Sequence, residues 1–574
     1  MFIICLATDY DGTLAHDGVV DSATIDALVR LRRSGRRVVL VTGRELPDLV
    51  RVCPRLDLFD RVVAENGALL FDPATRRERP LAPEPSPEFV AALREKGVPL
   101  SVGRSIVATW EPHENAVLKA IRELGLELQI TFNKGAVMVL PAGVNKASGL
   151  AAALDDLGLS AHNVVAVGDA ENDHAFMQAS GFSAAVANAL PAVKETADLV
   201  TERPRGAGVA ELIARLLEDD VDAFAPFKAR GLVQAAVRPD GTPVYLRPHG
   251  GGALVAGLSG GGKSTLATAL VEGMIAGGFQ VVVFDPEGDY ADFRAAVALG
   301  DAKSPPRLPE LLKALDRPGD SVVVNLLAIG VEDRPAAFAG FAGAAIEMQG
   351  RTGRPHWLLV DEAHHVLPAE RDVNAGAALS SLPAVLVTVD PEAVSAEALA
   401  RVDDVFAVGT RPAETIAAFC RALSIAPPPL PEGPAEHGQA LFWRRSSPRA
   451  PEFVAPRAPA AKMERHTRKY AEGELGEDKS FYFRGPDGAL NLRAQNLTIF
   501  LQMADGVDDR TWLHHLKAGD VSTWIHDAIK DDDLASEAER IEAAEADPAR
   551  SRRAMRQAIE RKYTAPASKG SDPG

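Results

Sequence analysis

At 574 residues, with 46% hydrophobic and 25% charged residues, the chain is too long for one hydrophobic core and too ordinary in composition to be disordered as a whole. Its formal net charge of −17 disfavours long-range attraction to nucleic acid or anionic membranes, and the distant cysteines Cys5, Cys53 and Cys420 offer neither a disulfide framework nor a thiolate zinc site. The opening MFIICLAT lacks the basic start of a signal peptide, and no apolar stretch reaches the roughly 20 residues of a membrane helix, so a soluble, cytoplasmic protein without membrane contact is expected.

From the N-terminus to about residue 222, the β-branched runs FIICLAT, RRVVLVT, RVVAEN and NVVAVGD alternate with Ala/Leu-rich stretches, which predicts βαβ units and a parallel sheet. The run Asp9-Tyr10-Asp11-Gly12-Thr13-Leu14 closes the first strand, where open α/β sheets place their ligands. Two carboxylates at this spacing can divide nucleophilic and acid/base work, and their repulsion calls for a cation. At the end of the second strand, Thr42, Gly43 and Arg44 offer a phosphate a hydroxyl, a close backbone approach and a guanidinium, and Lys146 in GVNKASGL adds a cation near a helix start. After NVVAVGD, the segment Gly168-Asp169-Ala170-Glu171-Asn172-Asp173 supplies Asp169 and Asp173 as hard oxygen ligands suited to Mg²⁺, with Asn172 placed in the phosphate-binding set.

A single Asp-Gly pair often does no more than shape a turn, but four ordered motifs at strand ends exceed that explanation. Together with Glu65-Asn66-Gly67-Ala68 and Ala187-Asn188-Ala189, they resemble the Cof-type, class IIB branch of the haloacid-dehalogenase superfamily over essentially all of residues 1–220. The resemblance implies a Rossmann-like core within residues 1–222 and a small α+β cap over about 72–140. It implies a Mg²⁺-dependent phosphatase in which Asp9 forms an aspartyl-phosphate, Asp11 is the acid/base, and Thr42 and Lys146 bind phosphate. Asp9, Asp169, Asp173 and the backbone carbonyl of Asp11 would serve the metal. The substrate class it suggests is a small phosphorylated metabolite, a sugar phosphate or a phosphoglycolate-like acid, with Arg104, Trp110 and Asn133 as candidate readers in the cap.

A second α/β pattern spans about 226–430, with strands GALVAGL, QVVVFD, SVVVNLL, HWLLVDE and AVLVTVD. The run from Gly257 to Thr265 follows the first of these strands and opens a helix, the context a P-loop requires. Gly257, Gly260 and Gly262 let backbone amides wrap phosphates, Lys263 reaches the β and γ oxygens of ATP, and Ser264, followed by Thr265, meets a second Mg²⁺. At the end of HWLLVDE, Asp361 would hold the magnesium shell and Glu362 would polarise water, which points to ATP hydrolysis. With Asp285-Pro286-Glu287-Gly288-Asp289-Tyr290, these segments resemble the HerA/FtsK-like branch of P-loop ATPases, whose members commonly form hexameric rings that move DNA or polypeptide. Thr388 and Asp390 stand where that branch carries a polar sensor, often glutamine, and Arg401 and Arg411 are candidate arginine fingers. Residues 226–440 hold 17 Lys and Arg against 25 Asp and Glu, a net of −8, which favours ATP hydrolysis over nucleic-acid pumping.

Proline clusters over 431–461 predict a linker, an aromatic-rich stretch over 462–545 predicts a small C-terminal accessory domain, α+β or mostly helical, and 562–574 predicts a disordered tail. His466, His514, His515 and His526 lack a metal-binding spacing, while Arg484, Arg493, His514, His515 and Lys517 form a candidate patch for a phosphate or a partner. The leading expectation is a phosphatase fused to an ATP-binding and ATP-hydrolysing unit. Two rivals remain: an ATP-driven motor on DNA or protein with an accessory phosphatase, and a nucleotide-binding switch that hardly hydrolyses ATP.

Overall fold

Near-continuous apolar runs such as CLAT, RVVLV and VVAVG suit strands covered on both faces, and they form the middle of the first sheet. A computed structural model describes residues 1–133, 135–228, 231–258, 261–290, 293–369, 379, 382–431, 438–459, 475, 479–486, 488, 490–529, 531–544 and 547–563. The chain opens with β1 (Cys5–Thr8), β2 (Arg37–Val41), β3 (Arg61–Ala64), β4 (Leu69–Asp72) and β5 (Arg77–Pro80). An excursion follows in which β6 (Ser101–Val102), β7 (Val107–Trp110), β8 (Leu128–Asn133) and β9 (Ala136–Pro141) make a separate four-stranded antiparallel sheet. The chain then returns through β10 (Val164–Gly168), β11 (Phe182–Ala185) and β12 (Leu199–Val200), giving an eight-stranded sheet in the order β12-β11-β10-β1-β2-β3-β4-β5. All its pairs are parallel except β3–β4 and β4–β5.

The strand β5, RERP, is fully exposed and belongs to this sheet, so the excursion starts after residue 80 rather than at about 72. Helices Pro87–Glu95 and Glu114–Leu124 cover one face of the four-stranded sheet through Phe89, Leu93 and Val117. Met138 and Leu140 of its other face pack with Ala68 and Ile106 towards the core.

The second sheet has eleven strands: β13 (Val233–Val237), β14 (Pro243–Leu246), β15 (Gly252–Ala256), β16 (Val281–Asp285), β17 (Val297–Leu299), β18 (Val322–Asn325), β19 (Trp357–Val360), β20 (Ala384–Thr388), β21 (Val402–Val408), β22 (Ala440–Arg444) and β23 (Glu452–Pro456). Their order is β14-β13-β23-β22-β21-β15-β20-β19-β16-β18-β17. The run from β21 to β17 is parallel, and β22, β23, β13 and β14 extend it antiparallel. Two of these strands, β22 and β23, fall inside the stretch expected to be a linker. Its prolines 451 and 456 sit at the limits of β23, where a missing N–H is tolerated, while Leu441, Phe442 and Trp443 between the proline clusters are buried.

In the C-terminal region β24 (Phe481–Phe483) pairs with β25 (Leu492–Ala494), and helices pack around Phe481, Phe483, Phe500, Trp512 and Trp524. This core extends past residue 545, because helix Pro548–Tyr563 adds Met555 and Ile559 and the Trp512 indole donates to Ser551 Oγ at 2.9 Å. The expected tail from 562 is helical to Tyr563, and its remainder lies outside the described residues, as do residues 432–437 and most of 460–478.

The two large sheets meet at a buried polar seam. Asn163 Nδ2 donates to the carbonyls of Phe2 at 2.9 Å and Gly353 at 3.1 Å, and its Oδ1 lies 3.0 Å from His356 Nε2. His356 Nδ1 in turn accepts from the Gln280 amide at 2.9 Å, and burial holds this imidazole well below its usual pKa. His162 stacks on Phe279 with ring centroids 3.8 Å apart, and the Arg354 guanidinium donates to the Gly158 carbonyl. No helix among the described residues is long and apolar enough to cross a membrane.

Candidate functional site

Strand ends concentrate the chemistry of the first unit. Parallel pairing puts β10 beside β1 and β1 beside β2, so Asp9, Asp169 and Thr42 emerge from three neighbouring strands at one edge. Asp9, Asp169 and Asp173 are buried, each presenting a carboxylate oxygen within 4.8 Å of the others. Lys146, 1% exposed at the first turn of helix Lys146–Leu157, reaches between them, with Nζ 2.6 Å from Asp9 Oδ1 and 2.5 Å from Asp173 Oδ1. Burial first, then repulsion from Asp173, pushes the Asp9 carboxyl up to about 8 against the pull of Lys146. Burial works against the Lys146 ammonium, but Asp173 and Asp9 outweigh it and hold the lysine above its usual range. Three clustered carboxylates fit a hard divalent cation.

The remaining residues set this edge in place. Asp173 Oδ2 accepts from the amides of Asp169 and Ala170 at 2.8 and 2.9 Å, which folds the Asp169–Asp173 loop around its own carboxylate. Thr13 Oγ1 donates to Asp169 Oδ1 at 3.1 Å. The carboxylate of Asp11 stands apart from the trio and is gripped by Arg44, Nε at 2.6 Å from Oδ2 and Nη2 at 2.7 Å from Oδ1. Thus Arg44, expected at a phosphate, faces Asp11 and also pairs with Asp48. Thr42 is buried, its Oγ1 accepting from the Arg44 amide. Gly43 lies under the cap: a Cβ there would sit 3.4 Å from Met138 Sδ and 3.7 Å from Asn172 Nδ2.

Sequence reasoning had named Asn188 only as part of a motif. Its Nδ2 donates to the Gly12 carbonyl at 2.8 Å and approaches Asp169 Oδ2 at 3.4 Å, so it ties the Asp9 loop to the Asp169 loop. Of the candidate cap readers, Trp110 is 63% exposed and Arg104 pairs with Glu78, while Asn133 keeps a buried Oδ1 with no hydrogen-bond partner among the described residues.

The second centre is assembled the same way. Gly257 follows β15, and its backbone passes so close to β21 that a Cβ would fall 2.2 Å from the Val408 carbonyl oxygen. Gly262, at φ +95°, precedes helix Lys263–Ala276, whose first residue is buried and donates Nζ to the Leu258 carbonyl. Ser264 is half-buried and Thr265 exposed, while Gly260 lies outside the described residues. With β20 between β15 and β19, Asp361 and Glu362 end the next strand but one from the Gly257 turn. Thr388, at the end of β20, bonds His364 and the Asp390 carbonyl.

Burial first, then Asp289 and Glu362, raises Asp361 well above the carboxylate range. Burial and Asp289 push Asp285 up to about 6, although it accepts the amides of Gly288, Asp289 and Tyr290. Arg401 immediately precedes β21, at the opposite end of the sheet from Lys263, which removes it as a finger for the same crevice. Arg411 is on the Lys263 side but pairs with Glu414 on the surface. Sequence reasoning missed Arg334, a buried cation that faces Glu287 and Asp285. In the C-terminal region His515 is a core residue with both ring nitrogens engaged, by Asp520 and by the Arg484 amide, and Arg493 is held by Ser480 and Leu475, so these two members of the expected anion patch are engaged within the fold.

The haloacid dehalogenase-like hydrolase family matches residues 6–113 and 107–213, and the central domain of helicase HerA matches residues 242–334. Phosphoglycolate phosphatase 2 of Saccharolobus solfataricus is 30% identical over 218 residues, covering 37% of this chain and 92% of that protein. The phosphoglycolate phosphatase of Methanothermobacter thermautotrophicus is 31% identical over 223 residues, 37% of this chain and 98% of its own length. The 5-amino-6-(5-phospho-D-ribitylamino)uracil phosphatase of Bacillus subtilis is 30% identical over 233 residues, 36% of this chain and 93% of that one.

Proposed function

Because the chain belongs to the haloacid dehalogenase-like hydrolases, we propose that its first 222 residues are a Mg²⁺-dependent phosphomonoesterase working through an aspartyl-phosphate on Asp9, joined to a unit that binds and hydrolyses ATP. The observation that carries this reading is the buried Asp9–Lys146–Asp173 lattice with Asp169 beside it. Asp9, Asp169 and Asp173 would hold Mg²⁺, which supplies positive charge for the phosphoryl oxygens. An Asp9 oxygen attacks phosphorus as the ester oxygen departs, Asp11 gives that oxygen its proton, and Asp11 then takes a proton from the water that cleaves the acyl-phosphate. In this structure Arg44 holds both oxygens of the Asp11 carboxylate, so Asp11 has to leave that grip and take up a proton before it can serve the ester oxygen. Thr42 and Lys146 bind the phosphoryl group at the same strand edge. The named activities of the relatives, on phosphoglycolate and on a phosphorylated ribityl compound, support a small phosphorylated substrate.

In the second unit Gly257, Gly262, Lys263, Ser264 and Thr265 cradle ATP with its own Mg²⁺, and Asp361 and Glu362 supply the metal shell and the water-polarising carboxylate. The match to the HerA central domain favours, as a second reading, an ATP-driven motor that carries an accessory phosphatase. One experiment separates them: phosphate release from sugar phosphates and phosphoglycolate, and from ATP with and without DNA, by wild type, Asp9→Asn and Lys263→Ala. The proposal expects Asp9→Asn to abolish only ester hydrolysis and Lys263→Ala only ATP hydrolysis. Ester turnover surviving Asp9→Asn would sink it, and a ring-sized assembly with DNA-stimulated ATP hydrolysis would favour the motor.

A further inference from the structure

We propose that Glu65 is a positioning residue that seats the cap on the catalytic core, an inference that rests on the phosphomonoesterase reading. Glu65, Asn66 and Gly67 follow β3 with φ of +51°, +54° and +110°, a left-handed run that two non-glycine residues adopt only when their surroundings impose it. The surroundings here are four pieces of the active-site edge. The Glu65 amide donates to the Arg44 carbonyl at 2.9 Å and the Asn66 amide to the Thr42 carbonyl at 3.0 Å, so the turn is laced to the Thr42–Arg44 loop. The Asn66 side-chain oxygen accepts from Asn172 Nδ2 at 3.0 Å, which reaches the metal-side loop. A Cβ on Gly67 would lie 1.9 Å from the Asn145 carbonyl oxygen, so the turn is pressed against the start of the helix that carries Lys146.

The fourth piece is the cap. The Glu65 carboxylate, in a residue 1% exposed, accepts the backbone amides of Arg104 at 2.9 Å, Ser105 at 2.9 Å and Ile106 at 3.3 Å. All three donors belong to the single loop between β6 and β7. Gly103 completes the fit, since a Cβ there would stand 2.8 Å from the carboxylate. A buried carboxylate stays favourable only while its hydrogen bonds are made, and these are made only when the cap sits at this height and register. The same seating brings Met138 over Gly43. Glu65 therefore touches no reacting atom, yet sets where the cap surface lies over the Asp9 edge.

Kinetics on the full chain test this with glucose 6-phosphate and phosphoglycolate, which need the seated cap to enclose them, against p-nitrophenyl phosphate, an activated ester that does not. Glu65→Gln, which turns one acceptor into a donor facing N–H groups, is expected to lower kcat/KM for the first two by about 10²-fold, the scale of an ångström misplacement, and for p-nitrophenyl phosphate by less than about threefold. ATP hydrolysis stays as in wild type. Gly103→Ala presses on the same joint from the cap side and is expected to give the same selective loss, and it decides the matter where Glu65→Gln does not fold. Equal losses on all three esters, no loss, or a wild type active on p-nitrophenyl phosphate alone would overturn the proposal. A wild type inactive on every ester would instead overturn the phosphomonoesterase reading beneath it.

Discussion

Replacing Lys146 with methionine keeps the unbranched apolar stem of the side chain and removes its charged end. In the folded protein the ammonium is 1% exposed and lies 2.6 Å from Asp9 and 2.5 Å from Asp173, with Asp169 close by. Breaking a buried ion pair by deleting one partner costs about 3–5 kcal/mol, because the surviving charge stays buried without compensation. For a unit of this size each kcal/mol shifts Tm by roughly 2–4 °C, so the metal-free variant should unfold roughly 6–20 °C below wild type. Mg²⁺ brings two positive charges to the same carboxylates, so saturating Mg²⁺ should recover most of that difference. The catalytic loss should persist, at about 10²–10³ in kcat, since the phosphoryl group still lacks its fixed cation. Differential scanning calorimetry with and without Mg²⁺, paired with steady-state turnover, measures both. A Tm loss of equal size in the two conditions, or a kcat within tenfold of wild type, would refute the reasoning.

Two further outcomes are expected. The pKa of Asp9, raised by burial and then by Asp173 to about 8, means that the metal-free folded state holds a proton which the unfolded chain releases near pH 4. Stability of the metal-free unit should therefore fall as pH rises from about 4 to 8, by at most about 1.4 kcal/mol per pH unit, while Mg²⁺ affinity rises up to about tenfold per unit over the same window. Titration calorimetry at pH 6, 7 and 8 checks this, and a pH-independent affinity would count against it. At the seam, Asn163→Ala strands the carbonyls of Phe2 and Gly353 and the His356 ring N–H, at about 1–3 kcal/mol for each buried group left unpaired. The urea midpoint should drop, and an unchanged midpoint would show that the seam contributes little.

What the sequence made legible was whatever local pattern encodes. Runs such as VVAVG are apolar throughout because both faces of the strand are covered, so the strands were readable, and with them the positions of Asp9, Asp169, Asp285 and Asp361 at strand ends. Patterns that tertiary context overrides were not readable. The strand RERP shows no apolar alternation because it is an exposed edge, and β22 and β23 were hidden by the prolines that flank them. Nor does spacing reveal pairings: Lys146 meets a carboxylate 137 residues away, and Arg44 turns to Asp11 although a phosphate-facing arginine would have the same neighbours in sequence. The pairing of Asn163 with His356, 193 residues apart, is hidden for the same reason, since nothing local says that a second sheet covers them.

That seam fixes how the two strand-edge centres stand to one another. Asn163 lies at the beginning of β10, which runs through five buried residues to Asp169, while Gln280 and His356 lie at the beginnings of β16 and β19, which run to Asp285 and Asp361. The sheets are thus joined where these strands begin, and their carboxylate-bearing ends point away from the junction. At about 3.3 Å per residue each of these strands carries its carboxylate roughly 13–17 Å from the junction. A direct route between the centres runs along the strands and across the seam, where the Asn163–His356–Gln280 bonds lie beside the His162–Phe279 stack and the Arg354–Gly158 bonds.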